Sequence, residues 1–275
     1  KNCFEFTENV MGQGYKSEVT MTKSTPLLLS GKEVAKTILM RTRKQVQGAL
    51  ELGQEVGLCV LQVGEYEASS IYVARKESRA QRIGFVSTTL KLPTDISEES
   101  LIEQLGRLNR NPFIHGILVQ LPLPSHINEQ YVLDTIDPSK DVDGFHPINS
   151  GLLSQGRPRF VPCTPKGVIG ILKHYEIPLS GKHAVVIGRS NIVGRPMAQL
   201  LEQHNCTVTV CHSRTSDLKV HLSTADIVVA AVGIPNMVQG EWLKEGVVVI
   251  DVGINRLSDG SICGDVDFES ASKFE

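Results

Sequence analysis

The sequence predicts an α/β protein of two domains, an N-terminal α/β domain and a Rossmann-like nucleotide-binding domain with a cleft between them. Three observations carry this. Short apolar runs closed by glycine or proline read as buried parallel strands, and amphipathic stretches alternate with them along the chain. A second strand–helix series begins after about Ser150 and opens on a glycine turn. The chain is 275 residues long, enough for one large or two modest domains.

The elements follow in order. Residues 1–20 show neither clean periodicity nor turn punctuation and read as an extension or disordered tail outside the fold. Ser30-Gly31-Lys32-Glu33 has the spacing of a capping box, and Val34, Ile38, Leu39 and Val46 place a helix from there to about Leu50. Gly57–Gly64 is a strand, Ala68–Arg82 a second helix and Phe85–Leu92 a β-rich run ended by Pro93. Leu101, Ile102, Leu105 and Leu108 mark a third helix, and Gly116–Leu121 a strand closed by Pro122 and Pro124. The first domain is placed at residues 21–148 and the second at 149–275. Gly151–Pro165, with three prolines and two glycines, is read as the seam. Strands follow at Ala184–Gly188, Thr207–His212, Ile227–Val232 and Val247–Val252, with helices at Pro196–His204 and around Leu218–Ser223.

Composition narrows the function classes. Lys plus Arg is 28 against 30 for Asp plus Glu, a balance that argues against a dedicated nucleic-acid binder. No apolar run approaches the ~20 residues of a membrane span, and the first twenty residues hold no secretory signal. Six cysteines without a CxxC pair read as reduced thiols of a cytoplasmic protein, and no metal-ligand spacing appears.

The strand at Ala184–Ile187 runs into Gly188-Arg189-Ser190-Asn191-Ile192-Val193-Gly194. One glycine lets the backbone turn tightly and a second lets the next helix approach the sheet, leaving helix-start amides to face a pyrophosphate. Ser190 replaces the middle glycine of the dinucleotide fingerprint, so spacing alone leaves an ordinary strand–helix turn open. The next strand ends at His212-Ser213-Arg214 without a carboxylate. An acid there would accept from unphosphorylated ribose hydroxyls; a hydroxyl and a cation, with Arg189 as a second cation, suit a ribose phosphate. The expected cofactor is NADP rather than NAD, against a reading in which Ser213 and Arg214 only solvate a turn.

Tyr72 and Lys76 share a helix face at the carboxyl edge of the first sheet, where α/β ligands bind. Arg75 and Arg79 nearby, together with desolvation, would favour a neutral Lys76 amine able to accept a proton. A solvated helix face explains the same pair. Short-chain dehydrogenases also carry Tyr-x-x-x-Lys, but after the glycine turn of the same domain; here Lys76 precedes Gly188 by more than a hundred residues. Gln120 sits at the tip of an apolar strand, as a functional amide or a capped one. Asp141 and Asp143 precede a glycine turn without the further ligands of a calcium loop, and ordinary turn chemistry accounts for them equally well.

Seven segments in register go further: Tyr72–Lys76, Gly116–Pro124, Lys140–Phe145, Pro162–Gly167, Gly188–Pro196, Val249–Arg256 and Gly264–Val266. Together they closely resemble the bifunctional methylenetetrahydrofolate dehydrogenase/methenyltetrahydrofolate cyclohydrolase family, in its bacterial form, over about Pro26 to Glu275. The resemblance implies NADP-dependent oxidation of 5,10-methylenetetrahydrofolate, then hydrolysis of the methenyl cation to 10-formyltetrahydrofolate, in one-carbon metabolism serving purine biosynthesis. It implies Lys76 as the main catalytic residue of hydrolysis, Tyr72 stacking on the folate, Gln120 tuning Lys76 and Asp143 holding the pterin. Val119 and Leu121 would flank the folate through backbone and apolar contacts. Gly188, Arg189 and Ser190 would line the cofactor phosphates, Ser213 would meet the ribose phosphate, Ile254 would lie beside the nicotinamide, and Thr164 would join them. His212 is read as a strand-end residue, not a base. The implied partners are a small folate and a second copy of the chain, with neither nucleic acid nor membrane. The family continues with a proline- and glycine-rich loop that helps close the pocket and a last helix that returns to the first domain. The sequence stops at Glu275, before both, so the alternative expectation is a folate- or NADP-binding protein without turnover.

Overall fold

In the computed structural model, residues 26–65 and 67–273 are described, the side chains of 67–72 excepted. The expected extension at 1–20 lies outside the described residues. Two parallel sheets form. The first comprises β1 (Gly57–Val63), β2 (Val86–Leu92) and β3 (Gly116–Val119) in the order β2-β1-β3. Helices α1 (Gly31–Glu51), α2 (Glu67–Ile83), α3 (Glu98–Arg110) and α4 (Glu129–Thr135) accompany it. β1 is central and almost wholly buried because both its faces are covered. Its side chains alternate: Leu61 and Val63 pack with Leu101, Leu105, Ile117 and Val132, whereas Val60 packs with Val73 and Leu118.

α1 starts where its sequence places it, but the capping box does not close. The Ser30 side chain caps nothing. The Ser30 backbone N–H, which Glu33 would have met, donates instead to the Tyr175 hydroxyl at 2.7 Å. That acceptor comes from the second domain and ties the helix start to it.

The second sheet comprises β4 (His183–Ile187), β5 (Thr207–Cys211), β6 (Ile227–Ala230) and β7 (Val248–Asp251) in the order β5-β4-β6-β7, all parallel. Helices α5 (Pro147–Ser154), α6 (Cys163–His174) and α7 (Gly194–Gln203) cover one face. Leu153, Val168, Leu172, Met197 and Leu201 meet Ala184, Val186, Ile227 and Val229 there. On the other face Val185, Ile187, Val228 and Ala230 pack with Leu222 of α8 (Leu218–Leu222), Val238, Leu243 beyond a 3-10 turn at Gly240–Trp242, and Val266. A hairpin of β8 (Asn255–Arg256) and β9 (Ile262–Cys263) leads to α9 (Phe268–Lys273). No helix among the described residues is long and apolar enough to cross a membrane.

Two departures concern helices. The expected seam at Gly151–Pro165 holds the end of α5 and the start of α6, two helices the periodicity does not mark. Pro162, one of the three prolines of that segment, sits at the N-cap of α6, and Pro147 opens the first turn of α5, positions where a missing N–H costs nothing. α4 is a further helix the periodicity does not reveal; at seven residues it owes its start to Asn128, whose side chain accepts from the Tyr131 N–H at 3.2 Å.

Candidate functional site

Lys76 lies in α2, which begins just past the carboxyl edge of the first sheet. The residue is half-buried, and its Nζ donates to Gln120 Oε1 at 3.1 Å. Gln120 follows β3 directly. Its backbone N–H donates to Leu61 O at 2.8 Å and so continues the strand ladder by one residue. Its Nε2 donates to Leu121 O at 2.7 Å, which fixes the amide with its oxygen toward Lys76. Tyr72 lies one helical turn before Lys76 in α2, and its side chain is outside the described residues. Val119 is 3% exposed and its side chain belongs to the first core. β3 is covered on both faces, so at its end it is the main chain of Val119 that stands next to Gln120. Leu121 is half-buried against the same core.

The two carboxylates before Gly144 differ in use. Asp141 is 1% exposed and accepts from the Gly144 and His146 N–H groups at 3.1 and 2.9 Å and from Asn149 Nδ2 at 2.8 Å. It holds its own loop in shape. The same loop is anchored by Lys140, whose Nζ donates to Leu108 O at 3.2 Å and Asn111 O at 2.7 Å at the carboxyl end of α3. Asp143 is not among these acceptors of the loop. Burial pushes its carboxyl up to about 6, with Lys76 pulling it back and Asp141 adding to the rise. Burial, and then the Asp143 carboxylate, also push the Cys163 thiol up, with Lys166 and Lys76 opposing. Lys76 and Asp143 of the first domain and the start of α6 in the second thus share one electrostatic environment. Cys163, which the sequence reading passed over, stands between Pro162 and the candidate Thr164. Thr164 is exposed at the first turn of α6.

On the second sheet, the turn after β4 is built by two glycines in contact. Gly188 has φ +116°, and a side chain on it would collide with Ala231 O. A side chain on Gly194 would collide with Gly188 O, so the start of α7 meets the strand end backbone to backbone. Ser190, standing where the fingerprint has its middle glycine, closes the loop. Its Oγ accepts from the Val193 and Gly194 N–H groups at 3.1 and 3.3 Å. Arg189 is exposed, and its carbonyl accepts from Arg195 Nε at 3.3 Å. Past β5, His212 Nδ1 accepts from the Arg214 N–H at 3.1 Å, and Thr215 Oγ1 accepts from the His212 N–H at 2.9 Å. This turn sets Ser213 at an exposed tip beside exposed Arg214 and gives His212 a structural use. The strand end carries no carboxylate and offers a hydroxyl and guanidinium groups, a donor set that fits a phosphorylated ribose. Ile254, 65% exposed, lies just beyond β7 on the same sheet edge.

Two more carboxylates at this edge carried no sequence signal beyond lying in quoted motifs. Asp265 is fully buried and accepts from the Val232, Gly233 and Ile234 N–H groups and from Asn255 Nδ2, at 2.7 to 3.1 Å. Asp251 accepts from the Gly253, Asp265 and Val266 N–H groups at 2.9 to 3.0 Å. No group of three or more candidate metal ligands occurs among the described residues.

With this geometry in hand, known proteins give a consistent comparison. The family described as the catalytic domain of tetrahydrofolate dehydrogenase/cyclohydrolase matches residues 29–143, and its NAD(P)-binding domain matches 162–275. The bifunctional protein FolD of Streptococcus thermophilus is 52% identical over 248 residues, 90% of this chain and 87% of the relative. That of Burkholderia thailandensis is 49% identical over 249 residues, covering 90% and 87%. Among solved structures, the bifunctional FolD methylenetetrahydrofolate dehydrogenase/cyclohydrolase of Campylobacter jejuni superposes with a TM-score of 0.88 at 46% identity, covering 90% and 88%. The Trypanosoma brucei dehydrogenase-cyclohydrolase, solved with NADP and an inhibitor, gives 0.85 at 36% identity, covering 90% and 87%.

Proposed function

Because the chain belongs to the tetrahydrofolate dehydrogenase/cyclohydrolase family, we propose that it oxidises 5,10-methylenetetrahydrofolate with NADP and hydrolyses the methenyl product to 10-formyltetrahydrofolate. The observation that carries the hydrolytic half is the Lys76–Gln120 hydrogen bond, which holds an amine at the cleft beside Asp143. The curated relatives and the NADP complex of a structural relative support both halves.

NADP, when bound, supplies the acceptor for the hydride lost from the methylene carbon. Arg189, Ser190 and the exposed Ser213 would hold its phosphates, Gly188 would let the loop pass close, and Thr164 and Ile254 would serve the nicotinamide end. On the folate side, Asp143 accepts from pterin N–H groups, Tyr72 stacks on the ring, and the Val119 and Leu121 backbone flanks it. Oxidation is driven by the nitrogen flanking the methylene carbon, so these residues serve it by orientation. Hydrolysis needs proton transfer. Water adds to the methenyl carbon and gives up one proton; the hydroxyl of the adduct gives up the second as one carbon–nitrogen bond breaks and the carbonyl forms; the freed nitrogen takes one of the two protons and the other leaves to solvent, with Lys76 as the relay. Gln120 fixes the amine's position by accepting one of its hydrogens.

Residues 21–148 then form the folate side and 149–275 the cofactor side, in a cytoplasmic homodimer whose formyl product feeds purine synthesis. The test is NADPH absorbance with methylenetetrahydrofolate, run beside methenyl hydrolysis. Lys76→Met is expected to lose hydrolysis by at least about a hundredfold, the usual worth of a general acid–base group, with NADP affinity kept. Absence of NADPH from the parent chain, or retained hydrolysis in the variant, refutes the respective half.

A further inference from the structure

Asp265 and Asp251 take no part in the chemistry above, yet they define the sheet edge at which the cofactor would lie. A carboxylate withdrawn from water is tolerated only when donors replace its hydration. Asp265 is 0% exposed, and its donors are three consecutive amides, Val232, Gly233 and Ile234, joined by Asn255 Nδ2. Successive amides converging on one anion form a nest, whose shape depends on the charge at its centre. Here the anion is built in, so the 231–234 loop after β6 is moulded around a side chain of the same protein.

Asp251 braces the arrangement from behind. It holds the Asp265 backbone N–H at 3.0 Å and also fixes Gly253 and Val266 at 2.9 Å. The packing leaves no slack: side chains on Gly253 and Gly264 would collide with the Asp265 and Asp251 carboxylates respectively. Two segments are positioned as a result. One is the 231–234 loop, whose Ala231 carbonyl touches Gly188 of the phosphate turn. The other is the strap from Val252 to Asn255, which carries exposed Ile254.

We infer that Asp265, braced by Asp251, is a positioning residue for the dinucleotide: it sets the 231–234 loop and the Ile254 strap in the shape that receives the nicotinamide end. This rests on the NADP reading above and deepens it. The test uses Asp265→Asn, which keeps the shape but turns one acceptor oxygen into an amide NH2 donor facing N–H donors. Calorimetric titration with NADP is expected to give a Kd raised at least about tenfold, as for loss of charge-assisted hydrogen bonds. The NADP KM should rise with it. Hydrolysis of methenyltetrahydrofolate consumes no dinucleotide and should stay within about twofold of the parent, a split a general loss of structure would not produce. Should D265N fail to fold, Asn255→Ala, which removes one donor of the four, decides on the same criterion with a rise of about threefold or more. Unchanged NADP affinity in the variant that folds overturns the inference, and so does an equal fall in NADP affinity and hydrolysis. A parent chain that binds NADP but forms no NADPH would overturn the dehydrogenase reading and leave the positioning role standing; one that binds no NADP would overturn both.

Discussion

Asp143 carries a charge in a place that resists it. Its carboxyl is raised from an ordinary 3.8 to about 6, chiefly by burial. The folded chain therefore takes up the proton more readily than the unfolded chain. Its contribution to stability is full below pH 3.8 and is lost as the pH rises through about 6. A rise of that size is equivalent to at most about 3 kcal/mol. Asp143→Asn should raise the urea midpoint near neutrality, with a gain that shrinks toward about pH 4. A variant no more stable than the parent at neutral pH would show that the carboxyl carries no such burden. Spacing alone showed two acids before a glycine, and only the family resemblance singled out Asp143. Asp141 spends its oxygens on Gly144, His146 and Asn149, and that division of labour arises from loop geometry. Asp265 was still less legible, because a carboxylate partnered by main-chain amides leaves no spacing of side chains to read.

At the scale of elements, the strands were legible because burial on both faces demands continuous apolar runs, as at Cys59–Leu61 and Ala184–Ile187. Helix α6 was obscured because Pro162 counted toward a seam, whereas it stands at the helix N-cap, as Pro147 stands at the start of α5. The glycine turn was legible in kind, and the structure shows that both its glycines, Gly188 and Gly194, are strict. A methyl on Gly194 would strike Gly188 and Arg189 backbone atoms, which cannot rotate aside. Gly194→Ala should lower stability by about 1–3 kcal/mol, as overpacking does, and weaken NADP binding with it. Gly48, inside α1 with open space around it, is the contrast. Gly48→Ala should stabilise by up to about 1 kcal/mol, since alanine loses less chain freedom in a helix. Denaturant titration of the pair checks both signs, and a tolerated Gly194→Ala would mean that the strand and helix can part without loss.

For the whole molecule, the decisive contacts join residues far apart in sequence, which no local pattern announces. The Ser30 N–H and the Tyr175 hydroxyl are separated by 145 positions and meet at 2.7 Å. Removing the hydroxyl with Tyr175→Phe keeps the ring beside His174 and leaves a part-buried donor unmet. The expected loss is about 1 kcal/mol, seen as a melting temperature lowered by roughly 2–4 °C for a chain of this size. An unchanged melting temperature would mean that water serves Ser30 equally well. The joint goes beyond one hydrogen bond. Leu29 packs into the core of the second sheet, and Val34 and Ile38 of α1 lie against Gly170 of α6. The helix thus serves both halves, rooted in one and running along the other. Severing the polypeptide between them would strip hydrocarbon surface bare on each fragment, so neither half is a ready-made module for transplantation. A lineage that had use for only one of the two reactions would have to keep both bodies of the protein to retain it.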